Sequence, residues 1–123
     1  HSMGGAMAML AALDLAHHKP HLRPVCTYTF GAPRVGDATF ARLFSRTFPD
    51  AAHHWALQAA SDAVPHLPFR VWGFEHPDGV AVLTDDSDDA QACLRRSGDP
   101  GDSVACMRPK EGRAMNWATC HDL

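Results

Sequence analysis

The sequence predicts an α/β protein in which a mostly parallel sheet is flanked by helices. An apolar run from Met3 to Leu13 is typical of a buried helix, and the β-branched and aromatic residues at positions 25–30 are typical of a strand. A second helical pattern begins after Asp37, with apolar residues on one face and arginines on another. Because helix, strand and helix follow one another, we expect parallel strands joined by crossover helices.

Length and composition limit what the chain can be. Its 123 residues suffice for a domain with its own core, and a hydrophobic content of 46% argues against disorder. The net charge is -3 and no basic patch stands out, so nucleic acid is not an expected partner. The longest apolar run is shorter than the roughly 20 residues that a membrane span needs, so we expect no transmembrane segment.

The first helix is predicted to run from Met3 to Ala16 and to be buried, because apolar residues occur on nearly every side. Pro20 blocks its continuation, and the basic residues before it suit the negative end of the helix dipole. His17 and His21 are four residues apart, a spacing that can bind a metal on a helix face. Pro20 interrupts that face, so we predict no metal site.

Turn-forming and helix-capping residues predict the remaining helix and strands. Asp37 is expected to cap the second helix, which stops at Phe48–Asp50. Residues 53–60 and 79–84 are predicted strands because they are apolar and bounded by turn-forming residues. From position 90 to 119 there is little periodicity, so we expect irregular structure there.

The first five residues, His1 to Gly5, combine a serine with small residues at the start of a helix. A serine on a strained turn between a strand and a helix has an accessible hydroxyl, which is the nucleophile elbow of serine hydrolases. Gly4 and Gly5 are expected to let helix and strand approach closely beside that turn. The alternative is that Ser2 merely caps the helix.

A candidate catalytic triad follows from the order of three residues, Ser2, Asp62 and His121. Serine is a weak nucleophile until a base takes its proton, and histidine titrates near neutral pH. A carboxylate on the other ring nitrogen fixes the tautomer of that histidine. Asp62 lies just past the end of a predicted strand, where α/β proteins place their chemistry.

Each triad member has an alternative interpretation. Asp62 could be an ordinary turn residue, and His66 and His76 compete with His121 for the role of base. His66 lies too close to Asp62 for a separate loop, and His76 precedes a predicted strand, so His121 is preferred. Cys120 is not expected to act as a nucleophile with its neighbour, because adjacent side chains on an extended segment point apart.

Several stretches of the chain resemble class 3 triacylglycerol lipases, the fungal and plant type. They are residues 1–6 (HSMGGA), 27–37 (TYTFGAPRVGD) and 62–68 (DAVPHLP), together with the terminal His121. The second stretch is the most specific because it is long and close to the family pattern throughout. The resemblance covers most of residues 1–76 and becomes sparse after them.

The resemblance implies a partial α/β-hydrolase fold whose N-terminal half is missing, with residues 1–123 as the C-terminal part of a single domain. It also implies a triad of Ser2, Asp62 and His121, with the backbone N–H of Met3 as one oxyanion donor. The segment that supplies a second donor is among the missing parts. Val64 and Leu67 are expected to line the acyl side of the cleft.

The activity that the resemblance implies is hydrolysis of lipid carboxylic esters at an interface, without a metal or organic cofactor. The alternative is a non-catalytic module, either a truncated lipase-like remnant or a lipid-binding domain that keeps the fold. We expect the 123 residues alone to be inactive or poorly folded. Loss of half of the sheet would leave an open strand edge and an uncovered helix.

The four cysteines allow a prediction about disulfides. Cys93 and Cys106 bracket a turn-rich stretch that could close as a loop, so we expect a bridge between them; the alternative is two unrelated thiols. A bridge implies an oxidising compartment and favours the secretory pathway. Cys26 lies in an apolar strand-like run and is expected to be a buried free thiol.

Overall fold

A computed structural model describes residues 1–24, 26–49, 54–59, 61–83 and 93–95, and it leaves the side chains of 81–83 and 93–95 undescribed. In chain order the helices and strands are α1 (Met3–His18), β1 (Thr27–Phe30), β2 (Gly36–Asp37), α2 (Ala38–Thr47), β3 (His54–Ala59), β4 (Phe74–Glu75), β5 (Val80–Leu83) and β6 (Cys93–Arg95). Short 3-10 helices lie at Pro20–Leu22, Val64–His66 and Arg70–Trp72.

The main sheet has the strand order β1-β3-β5-β6. β1 and β5 both run parallel to β3, which lies between them, and β6 runs antiparallel to β5. β2 and β4 form a separate antiparallel pair. The predicted class, a mostly parallel sheet with flanking helices, is therefore confirmed, and the three predicted strands lie within one or two residues of β1, β3 and β5.

β6 is a strand in a stretch that was expected to be irregular, so that expectation is wrong for Cys93–Arg95. Its three residues pair with Val80, Ala81 and Val82 of β5. A strand this short has too few residues to show an alternating pattern, and its pairing depends on the neighbouring strand rather than on its own sequence.

The core of the described part forms where α1 and α2 meet. Met9 and Ala12 of α1 pack with Phe44 and Phe48 of α2, and all four side chains are buried. The rings of Phe44 and Phe48 have centroids 4.8 Å apart, and the Phe44 ring also meets His54 of β3 at 4.7 Å, edge to face. Strand β3 is thereby fixed beneath α2.

α1 is not buried on all sides, which corrects the expectation from its apolar composition. Met9, Ala12 and Gly5 are buried, whereas Met3 is 71% exposed and Met7 is 61% exposed. Leu10, on the same side of the helix, is also exposed. The helix therefore has two apolar faces, and within the described residues only one of them is covered.

α2 begins as the sequence predicts. The Asp37 carboxylate accepts hydrogen bonds from the backbone N–H groups of Thr39 and Phe40, both at 2.9 Å. These bonds satisfy two of the donors that the first turn of a helix leaves free. The helix ends at Thr47, one residue before the predicted stop at Phe48.

Cys26 is disulfide-bonded, so the expectation of a free thiol at this position is wrong. It lies just before β1 and is only half-buried, so its sulfur can reach a partner outside the strand. No free cysteine occurs in the described part of the chain. The bridge between Cys93 and Cys106 involves side chains outside that part and stays a prediction.

His54 is a buried histidine at the start of β3, with 2% of its surface exposed. Its Nδ1 lies 3.0 Å from the Thr27 hydroxyl oxygen, and its Nε2 has no hydrogen-bond partner among the described residues. Burial lowers the pKa of His54 from 6.5 to about 4, and a hydrogen bond to the backbone of Thr27 opposes that shift without cancelling it. The imidazole is therefore neutral in the folded state at neutral pH.

We expect His54 to make the fold acid-sensitive. Above pH 6.5 the imidazole is neutral in both states, but between pH 6.5 and about 4 only the unfolded chain binds the proton. Stability is therefore lost as pH falls through this window, by up to about 3 kcal/mol for a shift of this size. Urea unfolding of the wild-type protein and of His54→Gln, at pH 7.5 and pH 4.5, measures this. The free energy of unfolding of the variant relative to the wild type should be higher at pH 4.5 than at pH 7.5. An equal difference at both pH values contradicts the assignment of a neutral, buried His54.

Candidate active site

Ser2 occupies a strained backbone position immediately before α1. Its φ is 55° and its ψ is -132°, and no other non-glycine residue in the described part of the chain has a positive φ. Its side chain makes no capping hydrogen bond to the helix. The alternative interpretation of Ser2 as a helix cap is therefore not supported. A strained serine with a hydroxyl not used for capping has the geometry of a nucleophile elbow.

Ser2 is held at the carboxyl end of β1. Its backbone N–H donates to the carbonyl of Phe30, the last residue of that strand, at 2.9 Å. Gly31 follows, and its N–H donates to the carbonyl of Leu57 in β3 at 2.8 Å. The turn that carries Ser2 is thus fixed at the edge of the sheet where β1 and β3 both end.

Gly5 allows the helix to approach the strand this closely. A Cβ at Gly5 would lie 2.8 Å from the Cβ of Ala32 and 3.2 Å from the Cβ of Thr29, too near for an ordinary contact. The expected role of a small residue is confirmed at this position. At Gly4, by contrast, a Cβ would meet no described atom within 4 Å, so close packing does not require that glycine.

Met3 is the first residue of α1. The N–H groups in the first turn of a helix have no carbonyl of the same helix to bond, so the Met3 N–H is available beside Ser2. The positive end of the helix dipole lies at the same place. This is the environment in which a developing oxyanion is stabilised.

Asp62 lies beyond the carboxyl end of β3, and its carboxylate lies beside Gly31. Its Oδ1 accepts a hydrogen bond from the N–H of Val64 at 2.9 Å. A Cβ built on Gly31 would lie 2.7 Å from Oδ2 of Asp62 and 3.5 Å from Nε2 of His1, the residue before Ser2. The structure therefore brings Asp62 and the Ser2 turn to the same glycine, Gly31.

His121, the predicted base, lies outside the described residues, and its place beside Ser2 stays a prediction. His76, one of its competitors, is buried, and its Nε2 lies 2.8 Å from the carbonyl oxygen of Pro65. Because a carbonyl can only accept, that nitrogen carries the proton and donates it. His76 supports the loop after Asp62 and is not placed to act as a base. His66 lies in that same loop, four residues beyond Asp62.

The loop after Asp62 also carries exposed apolar side chains, and two of them, Phe69 and Trp72, have no predicted role. Leu67, predicted to line the acyl side, is exposed, and Val64 is half-buried. Phe69 and Trp72 are exposed too, with ring centroids 5.3 Å apart, edge to face. The sequence gives a sign of this apolar surface, because Leu67, Phe69 and Val71 alternate with other residues and Trp72 follows them.

The described residues offer neither a metal centre nor a membrane span. They contain no group of three or more histidine, cysteine, aspartate or glutamate side chains that could hold a metal ion. Within the same ranges, none of the helices combines the length and hydropathy that crossing a bilayer demands.

Comparison with known protein families identifies the family of the chain. The family model described as "Lipase (class 3)" matches residues 1–72, which include Ser2, Gly31 and Asp62. The chain belongs to the class 3 lipase family. The fold of this family is the α/β-hydrolase fold, and the chain forms part of it.

Curated relatives of this lipase chain are fungal proteins. A lipase of Rhizopus niveus is 37% identical over 98 residues, which is 76% of this chain and 24% of the relative. The secreted mono- and diacylglycerol lipase MDL3 of Malassezia globosa is 39% identical over 83 residues, covering 63% of this chain and 24% of the relative. The chain thus spans about a quarter of the length of the curated relatives it matches.

Solved structures of lipases are similar to this chain in overall fold. Lipase II from Rhizopus niveus matches with a TM-score of 0.61 and 35% identity, over 75% of this chain and 34% of that one. A Rhizomucor miehei lipase in complex with its propeptide matches with a TM-score of 0.64 and 37% identity, over 80% and 32%. A triacylglycerol lipase whose catalytic centre is a serine protease triad matches with a TM-score of 0.65 and 36% identity, over 80% and 38%.

If Ser2 and Asp62 act together in ester hydrolysis, Gly31→Ala should lower the rate by about tenfold or more, because the new methyl would push the Asp62 carboxylate away from Gly31. Gly73→Ala is the matched control. Gly73 also has a positive φ, of 87°, but a Cβ there would meet no described atom within 4 Å. Gly73→Ala should lose thermal stability through its positive φ alone, and only Gly31→Ala should also lose kcat/KM. An equal loss of activity in both would contradict the placement of Asp62.

Proposed function

We propose that this chain provides the catalytic part of a serine hydrolase that cleaves carboxylic esters of lipids. The observation that carries the proposal is the strained Ser2 at the end of β1, with no capping bond and with the Asp62 carboxylate beside the same turn. A structural serine has no need of such strain, whereas a nucleophile does. The lipase relatives support the same reaction class.

The proposed reaction is acyl transfer in two steps. His121 takes the proton of the Ser2 hydroxyl as its oxygen attacks the ester carbonyl, and Asp62 stabilises the imidazolium that forms. The N–H of Met3 donates to the oxyanion of the tetrahedral intermediate. His121 then protonates the leaving alcohol, and the acyl group stays on Ser2. In the second step His121 activates water, which releases the acid and restores Ser2.

The proposed substrates are acylglycerols or related lipid esters. Val64 and Leu67 lie on the loop that starts at Asp62, and they are proposed to contact the acyl chain beside the reacting carbonyl. Phe69 and Trp72 extend that apolar surface and are exposed. Relatives named as mono- and diacylglycerol lipases favour the same class of substrate.

We also propose that residues 1–123 work as the C-terminal part of a single domain, covered by a segment that precedes them. Among the described strands β1 is the terminal one of its sheet, and Phe30 on it is exposed. The face of α1 that carries Met3 and Met7 is uncovered as well. An open strand edge beside an apolar helix face is a surface that proteins normally bury.

The disulfide at Cys26 bears on where the protein acts. Disulfides persist in oxidising compartments and are rare in the cytosol. The bonded state of Cys26, together with the predicted bridge between Cys93 and Cys106, supports passage through the secretory pathway.

A fluorophosphonate probe tests the proposed nucleophile in the full-length protein. We expect stoichiometric labelling of Ser2, and we expect Ser2→Ala to abolish both labelling and hydrolysis of p-nitrophenyl esters. Ser45→Ala is a matched control, since it removes the hydroxyl of a serine on α2 that accepts a hydrogen bond from the backbone N–H of Asp78, and it should leave labelling unchanged. Labelling that persists in Ser2→Ala rules out Ser2, and a full-length protein that neither labels nor turns over ester is the non-catalytic module instead.

The isolated chain of residues 1–123 tests the proposed covering segment. We expect it to bind the dye ANS strongly, because the face of Met3, Met7 and Leu10 stays open, whereas the full-length protein should bind little. Changing these three residues to Gln should reduce dye binding by the isolated chain. Equal ANS fluorescence for the isolated chain and the full-length protein would contradict the proposal, and so would rapid ester turnover by the isolated chain.

A further inference from the structure

Arg34 is a charged side chain with only 3% of its surface exposed. It lies in the connector between β1 and α2, three residues after Gly31. Burial of a guanidinium group is costly unless its donors are bonded, so the contacts of Arg34 indicate what it is there to do. Three of its hydrogen bonds reach the loop that follows Asp62.

Arg34 donates to three consecutive carbonyl groups of that loop. Its Nη1 donates to the carbonyl of His66 and, at 2.9 Å, to the carbonyl of Pro68. Its backbone N–H donates to the carbonyl of Leu67, between them, at 2.7 Å. A guanidinium fork can bond several acceptors in a fixed geometry, which a lysine ammonium on its flexible stem does less well.

The first half of the same loop is held by other groups. Oδ1 of Asp62 accepts from the N–H of Val64, and the carbonyl of Pro65 accepts from His76. The backbone therefore has a partner at nearly every position from Asp62 to Pro68. Arg34 supplies the partners for the last three residues of the loop. Gly31, in the same connector as Arg34, lies beside the Asp62 carboxylate where the loop begins.

We propose that Arg34 is a positioning residue for catalysis, which holds the Asp62 carboxylate at the Ser2 turn by fixing the loop that Asp62 begins. The proposal rests on the proposed function, since it needs Asp62 as the acid of the triad. Without the guanidinium, two carbonyls lose their donor and turn towards water, and the loop shifts against the connector. A displacement of about 1 Å at a catalytic group can cost a hundredfold in rate.

The test is a double-mutant cycle in the full-length protein between Arg34→Met and Asp62→Asn, with Arg34→Lys as the conservative variant. Initial rates on a p-nitrophenyl ester are divided by the folded fraction from thermal melts. Arg42→Met, which removes an exposed arginine from α2, is the control for loss of charge. The pH dependence of kcat/KM is measured for each active protein.

We expect Arg34→Met to lower kcat/KM by about tenfold to a hundredfold. Arg34→Lys should retain part of the lost activity, and Arg42→Met should leave kcat/KM unchanged. In the Asp62→Asn background Arg34→Met should cost less than about threefold, because the group it positions is gone. The acid limb of the profile should move to lower pH in Arg34→Lys, since a displaced carboxylate stabilises the imidazolium less.

The cycle distinguishes a failure of the positioning role of Arg34 from a failure of the proposed triad. If Asp62→Asn lowers activity but Arg34→Met costs the same factor in both backgrounds, Arg34 only supports the fold, and the positioning role is overturned. If Asp62→Asn has full activity, the proposed triad is overturned and the role of Arg34 with it. If Arg34→Met does not fold, the cycle is run with Arg34→Lys, where full activity per folded molecule and an unmoved acid limb likewise overturn the proposal.

Discussion

The site depends on one backbone hydrogen bond, from the N–H of Ser2 to the carbonyl of Phe30. This bond fixes the turn before α1 to the end of β1, and it keeps Ser2 at a φ that a side chain rarely adopts. The strain persists because the packing around it leaves no alternative. Gly5 lets the helix lie against Thr29 and Ala32 at a distance that any larger residue would prevent.

Parallel pairing brings the second part of the site to the same place. Phe30 of β1 pairs with Leu57 of β3, so the two strands end at one edge of the sheet. The segment after β3 begins at that edge, and Asp62 therefore meets Gly31 although it lies far along the chain. Side chains that are distant in sequence become neighbours because both follow carboxyl ends of parallel strands.

The elements with a local signal could be predicted from the sequence. α1 and α2, the cap at Asp37 and the strands β1, β3 and β5 all follow from composition, periodicity and turn residues. The Ser2 turn and Asp62 were also found, because each belongs to a stretch with a family pattern. The burial of α1 was predicted wrongly, because composition gives the number of apolar faces and not the presence of a neighbour for each.

Other features had no local signal at all. β6 is too short to show a pattern, and the disulfide at Cys26 depends on a partner distant in sequence. His76 and Gln58 contact each other and are buried, but in the sequence they look like ordinary exposed polar residues, because only the fold buries them. Arg34 was seen only as part of a family stretch, because its acceptors are backbone carbonyls, which every residue has.

The exposed end of the loop after Asp62 determines how the proposed contact with lipid would respond to salt. Arg70 lies 3.8 Å from Glu75, so the one positive charge among these apolar side chains has a negative neighbour. Val71 beside it is 84% exposed, and Trp72 is exposed as well. This tip carries almost no net charge, so its contact with an apolar surface should depend on the apolar area that is buried and should change little with salt concentration.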